Sequence, residues 1–512
     1  MAGLSVGVPG LFSGKEERRP PSDRGSSLKV GFAERDITPD LGMEVPGTYV
    51  KTREWKIHDA CKVRAAVFDD GRFKIALVSL DALMVPRYVV VAARKVIEEQ
   101  CAIPRDSVLI SASHSHSSGP TGMVQPGQYD GASPLVKKLA YEISSCANVG
   151  YVARVQEEII RAVRDANSCR VDALCGFGAG EERKVSFNRR LRMKNGLTYT
   201  HPGQGNPDVL GYAGPIDPQV GVIGAWDQGG RQLGCIVNFA CHATTNPGGF
   251  SANWPYYMEK TIRGVLGADL VVVFMQGCSG DITQVDNLSP YALPSGERWA
   301  QFVGERVGAE VVKVMVSIEL GDGTPLDARA KLWRIKRRVP SPEHVRISYD
   351  FVQKNPNQVD TAEWVFAKEI VMLDALLKKD PEVEVEVQAI QVGPAVFLTN
   401  PAEFFVECGL ELKSRSKFPF TFPVELANGC VGYVPTEEAF GPHGGGYETR
   451  LTSYSNLEVS AGRQMVEAGL ELVGQMTPGK VPTPPKASPF RPEVGLFGAT
   501  PWSYGNVPPQ ID

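Results

Sequence analysis

Three apolar segments of strand length each break off into a polar, glycine-bearing turn, and this repeated edge constrains the chain more than any other feature. Residues 107–112 (SVLISA) run into Ser113-His114-Ser115-His116-Ser117-Ser118-Gly119-Pro120. Residues 233–240 run into Cys241-His242-Ala243-Thr244-Thr245-Asn246-Pro247, and residues 270–276 into Gly277-Cys278-Ser279-Gly280-Asp281-Ile282-Thr283. Where helices cover a sheet, functional side chains collect at strand ends, so one shared rim is expected.

The neighbouring patterns support such a fold. Residues 61–68 and 73–80 read as strands, with a helix over 89–101 before the strand at 107–111. Further helices are expected at 152–166, 256–265, 298–316, 362–377, 402–414 and 458–473, and further strands at 220–225, 383–392 and 395–398. No internal repeat is visible at any period. The fold class expected is α/β, with a mixed β-sheet core flanked by helices on both faces.

Composition narrows the function. With 43% apolar and 22% charged residues over 512 positions, a globular chain with a sizeable core is expected. Lys plus Arg number 54 against 58 Asp plus Glu, so a nucleic-acid partner is not expected. No apolar run approaches the roughly 20 residues of a membrane-spanning helix. The ten cysteines form no CxxC pair and suit reduced, buried thiols. Residues 1–28 read as a disordered lead without the core of a signal peptide, which points to a cytoplasmic protein. Residues 477–512, rich in Pro and Gly, read as an extended tail whose Phe490, Phe497 and Trp502 suggest docking. The oligomeric state stays open, a homo-oligomer included.

Three of the seven histidines follow strands directly. In an extended backbone His114 and His116, two apart, present their rings to one point, as a metal site requires; a hydrogen-bonded loop pair has the same spacing. Cys278, Ser279 or Thr283 offers a nucleophile with Asp281 beside it, although Asp281 equally suits a turn that caps backbone N–H groups. Glu403 is expected in the first turn of the 402–414 helix, where the dipole stabilises a carboxylate whatever its role. Tyr433 lies in a Gly-punctuated loop, where tyrosines usually pack and hydrogen-bond.

Taken in order, the segments VGFAERDITP, ASHSHSSGP, FNRR, NFACH, GDIT, PAEF and YVPTEE resemble the catalytic domain of the neutral, non-lysosomal ceramidases and their bacterial relatives over roughly residues 29–476. The resemblance implies a Zn²⁺-dependent hydrolase of linear N-acyl amides, acting on a small-molecule substrate. It implies zinc ligands at His114, His242, Glu403 and Tyr433, with Tyr433 also able to donate to the oxyanion. It places His116 beside the metal toward substrate and Arg189 on the reacting group. The family's serine in its GDxS turn falls on Thr283, which weakens a serine acyl-enzyme and leaves the threonine as a hydrogen-bond donor to the intermediate. No immunoglobulin-like C-terminal domain of the ceramidase type is expected, and residues 121–153 look unlike the family.

Three rivals make different predictions. An amidohydrolase-type TIM barrel also uses His-x-His at a strand end but requires eight βα units. A Cys or Ser hydrolase around Cys278 and Ser279 would ignore chelators. A ceramidase-like module without catalysis would tolerate loss of His242.

Overall fold

The computed structural model describes residues 28–359 and 361–487. Its main sheet is built twice from one plan. In the first half, strands Lys29–Asp36, Lys62–Asp69 and Lys74–Leu80 form an antiparallel meander; helix Arg87–Cys101 then crosses over to strand Val108–Ala112, parallel to its neighbour, and helix Val149–Ser168 follows. The second half repeats this with strands Val171–Glu181, Gln219–Asp227 and Gln232–Phe239, helix Trp254–Leu266, parallel strand Val271–Gln276 and helix Gly296–Met315. A ninth strand, Leu320–Gly321, pairs with Val171–Glu181. The halves join antiparallel through only two residue pairs, Lys29 with Asp172 and Val30 with Val171. No repeat shows in the sequence, yet the topology repeats, because burial dictates the plan and many apolar residues satisfy it.

Strand periodicity explains the continuous apolar runs. Along the first half Val63, Ala65 and Val67 face the two helices, whereas Ala66 and Phe68 face inward. Val272 and Phe274 of the second half face its helices, and Val273 and Met275 enter the same inner core as Ala66 and Phe68. The strands Lys62–Asp69 and Val271–Gln276 are therefore buried on both faces, the condition under which alternation disappears from sequence. Polar ties reinforce the seam: Ser79 Oγ donates to the Phe274 carbonyl, and Lys62 Nζ lies 2.9 Å from Glu259 of the other half. Buried Arg64 pairs with Asp81 at 2.8 Å and also with Glu259.

A second sheet, in order Leu326–Lys336, Glu382–Val392, Ala395–Thr399 and Phe420–Val424, contributes Ile390 and Phe397 to that inner core. Its other face packs on helices Val406–Arg415 and Ala461–Gly474. The sheets and flanking helices bear out the α/β expectation, and a barrel of eight βα units is absent among the described residues.

Two expectations change. Strand Val171–Glu181 went unread because Gly176, Gly178 and Gly180 dilute its apolar pattern. A Cβ on those glycines would lie 2.8, 2.6 and 1.9 Å from Ile318 or Glu310, so close packing requires them. Glu403 is not helical: Glu403–Phe404 pairs in parallel with Tyr433–Val434, and the helix begins only at Val406. Residues 1–27 and 488–512, with Phe490, Phe497 and Trp502, lie outside the described residues. Where the chain enters the expected tail, Gly479 N donates to the Gly393 carbonyl at 2.9 Å. All ten cysteines are free, seven of them buried. No helix among the described residues is long and apolar enough to cross a membrane.

Candidate metal centre

Three separate stretches deliver the candidate residues to one place. His114 and His116 follow strand Val108–Ala112, and His242 follows Gln232–Phe239; an isolated parallel bridge between Ser115 and Ala243 holds the two loops side by side. The third stretch supplies Glu403, whose pairing with Tyr433 puts these two residues on adjacent strands. His114 reaches the site from a left-handed backbone with φ of 59° rather than from the extended one expected. Such a conformation is costly for a residue with a Cβ and is tolerated where the surroundings impose it, often at functional sites. Gly47 packs closely on His116: at φ of 82°, a Cβ on it would sit 2.5 Å from His116 Nδ1.

The hydrogen bonds fix the ring tautomers. His114 Nδ1 donates to the Leu83 carbonyl at 3.0 Å and His242 Nδ1 to the Ser279 carbonyl at 2.7 Å. In the neutral rings both Nε2 atoms then carry lone pairs, and they face each other at 3.1 Å. His116 Nε2 lies 3.2 Å from His114 Nε2. Glu403 Oε2 is 3.2 Å from His114 Nε2 and 3.4 Å from His242 Nε2, yet it is buried without a hydrogen-bond partner. Electron-rich atoms so gathered repel one another unless a cation or proton lies between them. A tetrahedral ion with bonds of ~2.0–2.1 Å places its donors about 3.3 Å apart, which this set matches. The donors therefore fit a metal such as zinc. The geometry also groups His116 with His114 and His242, their nitrogens all within 4.8 Å of one another, so His116 lies close enough to be a donor itself.

Electrostatics follow the same pattern. Burial pushes the Glu403 carboxyl up, but His114 and His242 outweigh burial and hold it well below the usual carboxylate range. Burial opposes charge on His114, and Glu403 overcomes it, raising that ring above its ordinary value. Burial and then Arg189 lower His242 to about 3. His116 is also lowered well below its ordinary value, by burial and then by His114 and His242.

Arg189 closes one side. Its Nε donates to Glu448 at 2.7 Å, Nη2 to the Gly280 carbonyl at 2.6 Å and to the Tyr433 hydroxyl at 3.2 Å, and Nη1 approaches His242 Nε2 at 3.4 Å. Its guanidinium also lies 5.5 and 5.0 Å from the Tyr433 and Tyr447 rings. Burial works against the charge, but Tyr447, Tyr433 and Glu448 prevail, so Arg189 stays cationic. Tyr433, raised by burial and then by Glu403, keeps its phenolic proton in this surrounding. Its hydroxyl lies 3.1 Å from that of Tyr447.

The Gly277–Thr283 turn acts differently from a nucleophile loop. Cys278 is buried, its thiol pushed well up by burial, and it packs where a Cβ on Gly409 would lie 2.9 Å away. Ser279 Oγ donates to Glu425 at 2.5 Å while its carbonyl holds His242. Asp281 accepts Val406 N at 2.9 Å, capping that helix, and Asn188 Nδ2 at 2.8 Å. Thr283 lies on the short Ile282–Thr283 strand paired with Phe187–Asn188; its Oγ1 accepts Val285 N at 3.4 Å, and no hydrogen bond joins it to the histidines. Glu448, Tyr447 and Glu425 had no signal strong enough to single them out; the glycine run at 444–446 before Tyr447 was the one available clue.

A cavity of about 130 Å³ opens beside His114 and Glu403, walled by Leu83, Met84, Met123 and Leu376 among others. Residues 121–153 supply Met123, Gln125 and Gln128 of this wall.

No family model matches the chain. The neutral ceramidase of Pseudomonas aeruginosa is 24% identical over 355 residues, which cover 65% of this chain and 48% of that protein. The chain thus matches about half the length of that curated relative. Among solved structures, neutral ceramidase from Pseudomonas aeruginosa superposes with a TM-score of 0.64 at 20% identity, covering 90% of this chain and 76% of the other. A ceramidase complexed with C2 gives 0.63 at 18%, covering 90% and 77%. The fold is that of these proteins, and the chain is a relative of the neutral ceramidases, as the order of its motifs implied.

Proposed function

We propose that this relative of the neutral ceramidases is a zinc-dependent amidase that cleaves the N-acyl bond of a linear amide. The observation that carries the proposal is the convergence of His114, His242 and the hydrogen-bond-free Glu403 Oε2 on one point. These residues would hold the ion, with Tyr433 beside them. Zinc at such a site supplies a water of lowered pKa and polarises a carbonyl. The chain's own groups complete the site. Arg189, fixed by Glu448 and the Gly280 carbonyl, offers a permanent cation to the oxygen on which charge builds as the amide carbonyl is attacked. Tyr433 can donate its O–H to the same oxygen. His116, kept neutral by burial and its neighbours, can accept a proton and pass it to the leaving amine. Thr283 is given no step, since no hydrogen bond joins its hydroxyl to the donors.

The test is elemental analysis of wild type and His114→Ala, with hydrolysis of an N-acyl amide panel measured with and without chelator. About one zinc per chain, lost in the variant together with chelator-sensitive cleavage, is expected. Amide hydrolysis by the wild type without stoichiometric metal would overturn the zinc mechanism.

A further inference from the structure

Besides His114 and Glu403, the cavity next to the metal centre is lined by one further charged side chain, Arg337. This residue follows strand Leu326–Lys336 of the second sheet. Its backbone N donates to the Pro381 carbonyl at 3.0 Å, its Nε to the Asp380 carbonyl at 3.1 Å and its Nη1 to Asn456 Oδ1 at 2.6 Å. These are all neutral acceptors. Nη2 has no hydrogen bond, and no carboxylate lies within 4.0 Å of the guanidinium, among the described residues. Lys368 and Arg189 nearby each have a carboxylate, Glu369 at 3.0 Å and Glu448, and Arg338, which has none, spends Nε, Nη1 and Nη2 on the Leu457, Thr449 and Ser455 carbonyls. Burial disfavours the Arg337 charge and the Asp380 carboxylate only partly offsets it, and a guanidinium with an uncommitted N–H in a cavity wall is suited to recognise a carboxylate.

Resting on the amidase reading, we propose that Arg337 is a specificity residue that binds a carboxylate of the substrate, so that the enzyme prefers small amides carrying an anionic group to neutral lipid amides. The cavity volume of about 130 Å³ agrees with this, being well below the ~300 Å³ at which pockets for larger ligands begin. Gln128, whose side-chain oxygen is occupied by Gln125 N, leaves its amide N–H₂ as a second donor on the same wall. Substrates could carry the carboxylate on the acyl half or on the amine half; the chemistry recognised is the same, and the substrate panel separates them.

The experiment compares zinc-loaded wild type with Arg337→Met and Arg337→Lys. The substrates are N-succinyl and N-butanoyl amides of one amine, and N-butanoylglycine beside its carboxamide. In parallel, glutarate and N-acetylglycine are titrated into all three proteins by calorimetry, with melting temperatures recorded as a check on folding. The wild type is expected to favour one carboxylate-bearing member of a pair by roughly 10- to 100-fold in kcat/KM, mostly through KM. That ratio should collapse toward one in Arg337→Met and return in part with Arg337→Lys. Carboxylate binding should weaken in step. Amide hydrolysis without preference for either carboxylate, or a preference that survives in Arg337→Met, would overturn the Arg337 assignment and leave the amidase intact. Carboxylate binding that depends on Arg337, in a protein that hydrolyses no amide, would sustain the anion site and remove the amidase reading. Should Arg337→Met fail to fold, the same ratio and titration are read from Arg337→Lys.

Discussion

The two halves of the main sheet share a plan but use the ends of their strands differently. In the first half the turn after the last strand presents His114 and His116 themselves. The matching turn of the second half, Gly277–Thr283, sends no side chain to the donor cluster and instead supports others. The Ser279 carbonyl holds His242, the Gly280 carbonyl holds Arg189, and Asp281 caps the helix that follows Glu403. The second half offers its histidine from the neighbouring strand end. One architecture therefore yields a donor loop and a brace loop, and the difference lies in whether side chains or carbonyls point inward.

This contrast can be broken at graded points. Replacing His114 with Ala removes a donor, and turnover should fall by at least about a thousandfold with loss of bound metal, measured by amide hydrolysis and elemental analysis. A smaller effect is expected at the seam, where Asp59 of the first half accepts Ser251 Oγ and Ala252 N of the second. Burial raises its carboxyl to about 7 from an ordinary 3.8. Its contribution to stability is thus complete below about pH 4 and is lost as the pH rises to about 7, at most about 4 kcal/mol in all. Chemical denaturation of wild type and Asp59→Asn across pH 4–7 should show the wild type losing stability relative to the variant; parallel curves would refute the assignment. Asp281→Ala strips the brace of its helix cap, and about 1–2 kcal/mol of stability should go, with retention of zinc. Last, Cys278→Ala should change turnover less than about twofold; a large loss would return the thiol to consideration.

Legibility in the sequence followed burial. Strands enclosed on both faces, such as Val108–Ala112 and Val271–Gln276, announced themselves as apolar runs, and the histidines stood out because they end those runs. Val171–Glu181 was hidden by glycines whose purpose is the approach of Ile318 and Glu310, residues far away in sequence. Glu403 was assigned to a helix because Pro-Ala-Glu is a good helix start; pairing with Tyr433, a tertiary contact, overrides that local preference. Glu448 and the carbonyls of Leu83 and Ser279 orient the site through position alone, and no residue type advertises a carbonyl.

The thin join between the halves, two residue pairs in a nine-stranded sheet, has a bearing on how the molecule comes together. His114, His242 and Glu403 belong to stretches far apart in sequence that share a site only when both halves and the second sheet are docked, so the centre is built from contacts of high contact order. An ion gripped by all three would act as a clasp, favouring the docked arrangement over its opened forms in proportion to ion concentration. Loading and structural integrity are then one equilibrium, and metal supply would govern how long the protein lasts as well as how fast it works.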